Sequence, residues 1–371
     1  MRTRFAIATL ACALMTSPAS AQTPPRPFSV ASADGTMING QADLPERRTR
    51  AAVVFVAGTG LFDRDARFGV SGTPRDLVFA DLAQRITARG VAAVRYDRRG
   101  VRHGAAPAEM LDVSVSGTST VETQRDDLAA VYNWTRARDG LNVRCIVLFG
   151  HSEGLLHISR LAASGAPAPT AVIGLGGLLE SPLSIVRWQA AERDHDSLLM
   201  MDVDGDGRVT NAEVEANWRR TPSSFVNTPA PFIQPDGEWS PEEVAMVATF
   251  QRQSYEASRT QVLAASGDGV FPNEQTPMAR YSWWQSWFVD DVSAASQLAH
   301  WRVPMTFHYG TTDSQTPYAR QRAAAGDLFG DRATFVVHEG RGHSLGEHAL
   351  LGPMDEALAD RIADEAAAAC D

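Results

Sequence analysis

Four short runs of β-branched and aromatic residues, Val53 to Val56, Val91 to Tyr96, Cys145 to Phe149 and Ala171 to Ile173, alternate with stretches of helical spacing at 76–89, 121–138 and 154–164. Runs apolar at every position have both faces buried, and strands separated by helices need crossover connections. The pattern therefore predicts an α/β fold, a mostly parallel sheet with helices on both faces. Residues 28–44 alternate apolar and polar around Asp34-Gly35, as a hairpin would. The rhythm stops near Glu180 and resumes at Met305 to Tyr309, then Ala333 to Val337 and a last helix from Pro353. This divides the chain into a first core part at 28–180, a mainly helical cap insertion at 181–297 and a second core part at 298–371.

The chain starts with Arg2 and Arg4, an apolar stretch from Phe5 to Met15 and the small-residue exit Ala19-Ser20-Ala21. That is the build of a signal peptide over 1–21, too short to cross a bilayer, and it predicts export to the periplasm or beyond. The 371 residues contain no lysine and carry a formal charge of −10, which argues against nucleic acid or an anionic membrane as partner. Three cysteines, Cys12, Cys145 and Cys370, are too few for a disulfide framework or a Cys-based zinc site. An oxidising compartment would allow a bond between Cys145 and Cys370, but their positions in the sequence weigh against it.

At the end of the third run stands Gly150-His151-Ser152-Glu153-Gly154, with a helix directly after it. Glycines on both sides of a serine permit the cramped strand-to-helix bend that lifts a hydroxyl out of the backbone beside a helix N-terminus. Ser152 is thus the candidate nucleophile, and the N–H of Glu153 a candidate oxyanion donor. A serine nucleophile needs a base and an orienting carboxylate. Asp313 follows the strand at 305–309, and His343 lies in Gly340-Arg341-Gly342-His343-Ser344 after the strand at 333–337. Asp290 and Asp291, inside the insertion, and His338 and His348, without a Gly-bounded loop, are weaker rivals. The second oxyanion donor should come from Ala57-Gly58-Thr59-Gly60, from the N–H of Thr59 or, in the other register, Gly60. Asp63-Arg64-Asp65 and Tyr96-Asp97-Arg98-Arg99-Gly100 read as internal carboxylate–guanidinium clamps.

With these motifs the chain resembles the α/β-hydrolase superfamily, and within it a bacterial serine esterase branch with a Gly-x-Gly-x-x-Asp-Arg-Asp loop and a Gly-His-Ser-Glu-Gly elbow. The likeness covers about 28–180 and 298–371, with Thr59 and Leu61 departing from the branch's loop pattern. The resemblance implies an α/β-hydrolase fold and a serine carboxylesterase that acts through an acyl-enzyme on small-molecule esters of short to medium acyl chains, without an organic cofactor. Related branches include serine aminopeptidases and acyl-thioesterases, and a non-catalytic calcium-binding protein on a hydrolase frame is the alternative of another class.

The insertion holds Asp202-Val203-Asp204-Gly205-Asp206-Gly207-Arg208-Val209-Thr210-Asn211-Ala212-Glu213. This fills an EF-hand loop: carboxylates of Asp202, Asp204 and Asp206, the carbonyl of Arg208, Thr210 through water, and Glu213 closing the site. The expectation is a lone loop holding a structural calcium ion. Trp283, Trp284, Trp287 and Phe288 are expected to form the insertion's own core, with substrate lining as the minor alternative.

Overall fold

The computed structural model describes residues 23–69, 71–106, 108–225, 228–266, 269–271, 279–347 and 352–370. The expected signal peptide at 1–21 lies outside the described residues. Every buried run of the sequence forms a strand, and eight strands make one sheet: β1 (Arg26–Ala31), β2 (Met37–Asp43), β3 (Ala51–Val56), β4 (Ala92–Tyr96), β5 (Cys145–His151), β6 (Ala171–Leu175), β7 (Met305–Gly310) and β8 (Ala333–His338). Their order is β1-β2-β4-β3-β5-β6-β7-β8. The hairpin β1–β2 joins β4 antiparallel, and the other neighbours are parallel.

Side chains alternate across the strands, so each sheet face needs its own helical cover. On one face α1 (Val78–Ala88) buries Val78, Phe79, Leu82 and Ile86, and α10 (Glu356–Ala368) buries Leu358, Ile362 and Ala366. These pack with Val53, Phe55, Val147 and Phe149. On the other face α2 (Val121–Arg136) and α3 (Glu153–Ala163) contribute Leu128, Val131, Leu155 and Ile158 to a core with Val54, Leu148 and Phe307. A reciprocal cap between Thr120 and Thr123 fixes where α2 begins.

One expectation is corrected at the C-terminus. Cys145 and Cys370 form a disulfide across 225 positions of sequence. Sequence distance hid it: the apolar face of α10 fixes that helix across the sheet, and its end then lies beside the first residue of β5, with Cα atoms 5.7 Å apart.

Between β6 and β7 the chain forms α4 (Pro182–Ala191), α5 (Arg193–Met201), α6 (Asn211–Asn217), α7 (Pro241–Ala264) and α8 (Tyr281–Phe288), with α9 (Tyr318–Ala325) following β7. The acidic loop at 202–213 is not alone, as the sequence reading had it. Its short strand Val209–Thr210 pairs antiparallel with Glu238–Trp239. Gly207 and Gly237 both have positive φ, +84° and +103°, two residues before the paired Val209 and Trp239. Each strand then runs into a capping box, Thr210 with Glu213 and Ser240 with Glu243. The two segments thus repeat at an offset of thirty residues, which places Phe232 where the first loop has Asp202. Phe232 is buried with Leu198, Met201, Val209, Val214, Trp218 and Val244. The second loop had escaped notice because a core phenylalanine occupies its first ligand position.

Candidate active site

Ser152 sits between β5 and α3 with φ 55° and ψ −123°, a backbone conformation that side-chain-bearing residues rarely adopt. The bend holds because the neighbouring backbones close around it. A Cβ on Gly154 would lie 2.1 Å from the carbonyl oxygen of Val56, and one on Gly58 would lie 2.7 Å from the Cβ of Ser152. Those glycines allow β3, β5 and the start of α3 to approach to this distance.

The loops after β7 and β8 bring Asp313 and His343 together. Nδ1 of His343 is 3.0 Å from each carboxylate oxygen of Asp313, and both residues are buried. Oδ1 of Asp313 also accepts the backbone N–H of Gln315 at 2.7 Å and of Thr316 at 2.9 Å. The Thr316 hydroxyl lies 3.0 Å from Oδ2. The ring and backbone donors around this carboxylate fix its plane.

Ser152, His343, Glu153, Thr59 and Gly60 line one cavity of about 560 Å³, which places the nucleophile, base and oxyanion candidates of the sequence reading at one site. Of the rivals, Asp290 is paired with Arg160, Asp291 accepts a hydrogen bond from Ser181, and Nε2 of His338 lies 3.0 Å from Nδ1 of His308. None of these three lines the cavity. His348 lies outside the described residues.

Two residues of the site were missed as functional in the sequence. Arg98 donates through Nη1 both to the carbonyl of Gly58 and, at 3.0 Å, to Oε2 of Glu153. Burial disfavours the Glu153 carboxylate, but Arg98 and then His157, whose Nε2 is 3.4 Å away, outweigh it and hold the group ionised, well below the usual carboxylate range. One guanidinium thus ties the loop before Thr59 to the first residue of α3. The expected clamp at 96–100 is present but also holds the two candidate oxyanion donors in register. The second residue is His151, whose buried ring lies 4.3 Å from Phe68 and 5.0 Å from His343, centroid to centroid. Burial, reinforced by His343, pushes its pKa well below the ordinary histidine value, so it stays neutral beside the base.

Asp63-Arg64-Asp65 behaves as the expected clamp. Arg64 meets Asp97 with two parallel bonds of 3.0 and 2.6 Å, and Asp65 meets Arg95 and His103.

In the acidic loop, carboxylate oxygens of Asp202, Asp204 and Asp206 lie within 4.8 Å of one another. The Arg208 side chain is paired with Glu238, leaving its carbonyl as the group it could offer an ion. Thr210 and Glu213 cap each other, and Glu213 accepts the backbone N–H groups of Val203 at 3.2 Å and Thr210 at 2.9 Å. An all-oxygen, carboxylate-rich donor set fits a hard divalent cation.

No protein-family profile matches the sequence, and no relative was found among curated proteins. Solved structures do match. A highly thermostable carboxyl esterase from Bacillus coagulans aligns over 93% of this chain and 97% of its own, at 16% identity and a TM-score of 0.54. A thermophilic esterase from Thermogutta terrifontis aligns over 93% and 99%, at 16% identity and a TM-score of 0.51. At this identity the likeness establishes the architecture: the chain has the α/β-hydrolase fold.

Proposed function

We propose that this chain, on its α/β-hydrolase fold, is an exported serine hydrolase that cleaves carboxylic esters of short to medium acyl chain through an acyl-enzyme on Ser152. The observation that carries the reading is the shared cavity: a serine at φ 55° faces the same space as His343, whose other ring nitrogen is held by Asp313. Ser152 Oγ attacks the ester carbonyl carbon while its proton passes to Nε2 of His343. Asp313 keeps the Nδ1 proton and stabilises the imidazolium as it forms. The N–H groups of Glu153 and of Thr59, or Gly60 in the other register, receive the developing oxyanion. Collapse breaks the ester C–O bond, His343 returns the proton to the leaving alcohol, and water repeats the sequence on the acyl-enzyme.

Export is supported by the residues at 1–21 and by the Cys145–Cys370 bond, which belongs to an oxidising compartment. Calcium is part of the same reading. Asp202, Asp204, Asp206 and Glu213 with the Arg208 carbonyl, and Thr210 through water, would hold it, and the ion would neutralise their charge and stiffen the loop.

The test is Ser152→Ala. Ester turnover should fall roughly 10⁴- to 10⁶-fold with the melting temperature kept, because nucleophile and base act as a unit. A fluorophosphonate should label Ser152 in the unaltered protein. Retained turnover in the folded variant would refute the serine mechanism.

A further inference from the structure

The cavity above Ser152 has an aromatic wall. Trp283, Trp284 and Trp287 of α8 line it, with Phe62 from the loop after β3 and Ile185 and Val186 from α4. The sequence predicts the insertion's own core for these tryptophans, with substrate lining by one ring as the minor alternative. They do pack there, Trp283 4.9 Å from Trp287 and Trp284 5.6 Å from Phe288, but they also face the substrate space. Gln285 anchors the helix through bonds of 2.9 and 2.8 Å to the carbonyls of Val262 and Ala265 at the end of α7. The wall is therefore set before substrate arrives.

Glu153, Arg98, Arg99 and Arg280, among the described lining residues, all have partners. Glu153 is the one carboxylate among the described lining residues, and it is paired with Arg98. Arg99 is paired with Asp127 and Asp34, and Arg280 is partnered as well. An α-ammonium group brought to Ser152 would lose its water and find Glu153, the carboxylate among the described lining residues, already paired, a costly desolvation. A ring of the substrate would find offset and edge-on indole partners, which favour aromatic groups beyond their buried area.

Building on the ester-hydrolase reading, we infer that the substrate is a neutral ester carrying an aryl group, seated against Trp283, Trp284 and Trp287. The volume of about 560 Å³ suits a ligand of that size rather than an acetyl group alone.

The experiment uses methyl esters, whose alcohol adds no ring of its own, followed by pH titration at pH 6. Methyl 3-phenylpropanoate should exceed methyl 3-cyclohexylpropanoate in kcat/KM about 2- to 10-fold. It should exceed phenylalanine methyl ester, which is largely protonated at that pH, by roughly tenfold or more. The latter gap would run against intrinsic reactivity, since the ammonium makes that carbonyl more electrophilic. 3-Phenylpropyl acetate tests the same wall from the alcohol side. Trp284→Leu, at a half-buried position, should bring the phenyl-to-cyclohexyl ratio towards one. Calorimetry on Ser152→Ala reads binding of the same esters without turnover. Hydrolysis of methyl butanoate with no aryl preference on either side of the ester, or with phenylalanine methyl ester as the best substrate, overturns the inference alone. If the unaltered protein hydrolyses no ester while Ser152→Ala still binds in the expected order, the hydrolase reading fails and the cavity assignment stands.

Discussion

Arg98 allows the architecture of the oxyanion region to be separated from its stability. Its guanidinium joins the Gly58 carbonyl to the Glu153 carboxylate, and Glu153 is only 1% exposed. Arg98→Ala leaves that carboxylate buried with His157 as its remaining close partner, which should cost about 3–5 kcal/mol. At an unfolding entropy of roughly 2.1 cal/mol/K per residue, a chain of this size would lose about 5 °C in Tm if it melts as one unit. Arg98→Ala combined with Glu153→Ala removes both charges, keeps the backbone N–H at 153, and should recover about 2 kcal/mol or more relative to Arg98→Ala alone. Turnover should behave differently. Both variants release the Gly58 carbonyl, so the donor at Thr59 loses its placement and kcat should drop on the order of 10²-fold in each. Urea unfolding and initial ester rates on the single and double variants give both quantities. Additive stabilities, with a coupling below about 0.5 kcal/mol, or full recovery of kcat in the double variant, would refute the clamp.

Reduction of Cys145–Cys370, or Cys370→Ser, should lower Tm by about 7 °C, because opening a closure of 225 positions releases roughly 5 kcal/mol of unfolded-state entropy; an unchanged calorimetric melt would count against the bond. Calcium at about 100 times its dissociation constant should add about 2.7 kcal/mol and raise Tm by about 4 °C, and Asp202→Ala with Glu213→Ala should abolish the shift in scanning fluorimetry. His338 is held down to about 4 by burial, then by His308, Arg361 and Arg341, with Glu365 opposing. Because the folded state resists protonating it, its stability contribution is complete above about pH 6.5 and is lost as pH falls towards 4, so His338→Gln should flatten Tm against pH over that window; an unchanged slope would remove His338 as the cause.

The centre of the sheet was legible because its inner strands are buried on both faces: Val53, Val54 and Phe55 have no exposed face, and a covered parallel sheet accepts such runs. The placement of Ser152, Asp313 and His343 just after strands was legible because each follows a run of strand-forming residues in a turn-rich segment. Arg98, His157 and the disulfide were not, since their partners come from distant elements and no local pattern records which guanidinium meets which carboxylate. Even the absence of lysine gains meaning only in three dimensions. Arg64, Arg95 and Arg99 use the planar guanidinium to bridge or grip carboxylates from several directions, contacts a point-charge ammonium could not reproduce. The second loop of the insertion was hidden by chemistry rather than distance: Phe232 joined the core and erased the acidic signature, while Gly237 and the Ser240–Glu243 box kept the shape.

The insertion also holds the loop that carries Asp313. Gln189 of α4 donates to the carbonyl of Gln315 at 2.9 Å, and Arg193, the first residue of α5, donates to the carbonyl of Ser314 at 3.0 Å. Gln315 is the residue whose N–H holds Oδ1 of Asp313. The acid loop is thus gripped by His343 through its carboxylate and by the insertion through its backbone. At its other end α5 runs straight into Asp202. Helix α5 is only nine residues long and has Ser197, Leu198 and Met201 buried, so it is a short packed element between the acidic loop and Ser314. The acidic loop and the loop of Asp313 thus share one support, the two ends of a single short helix.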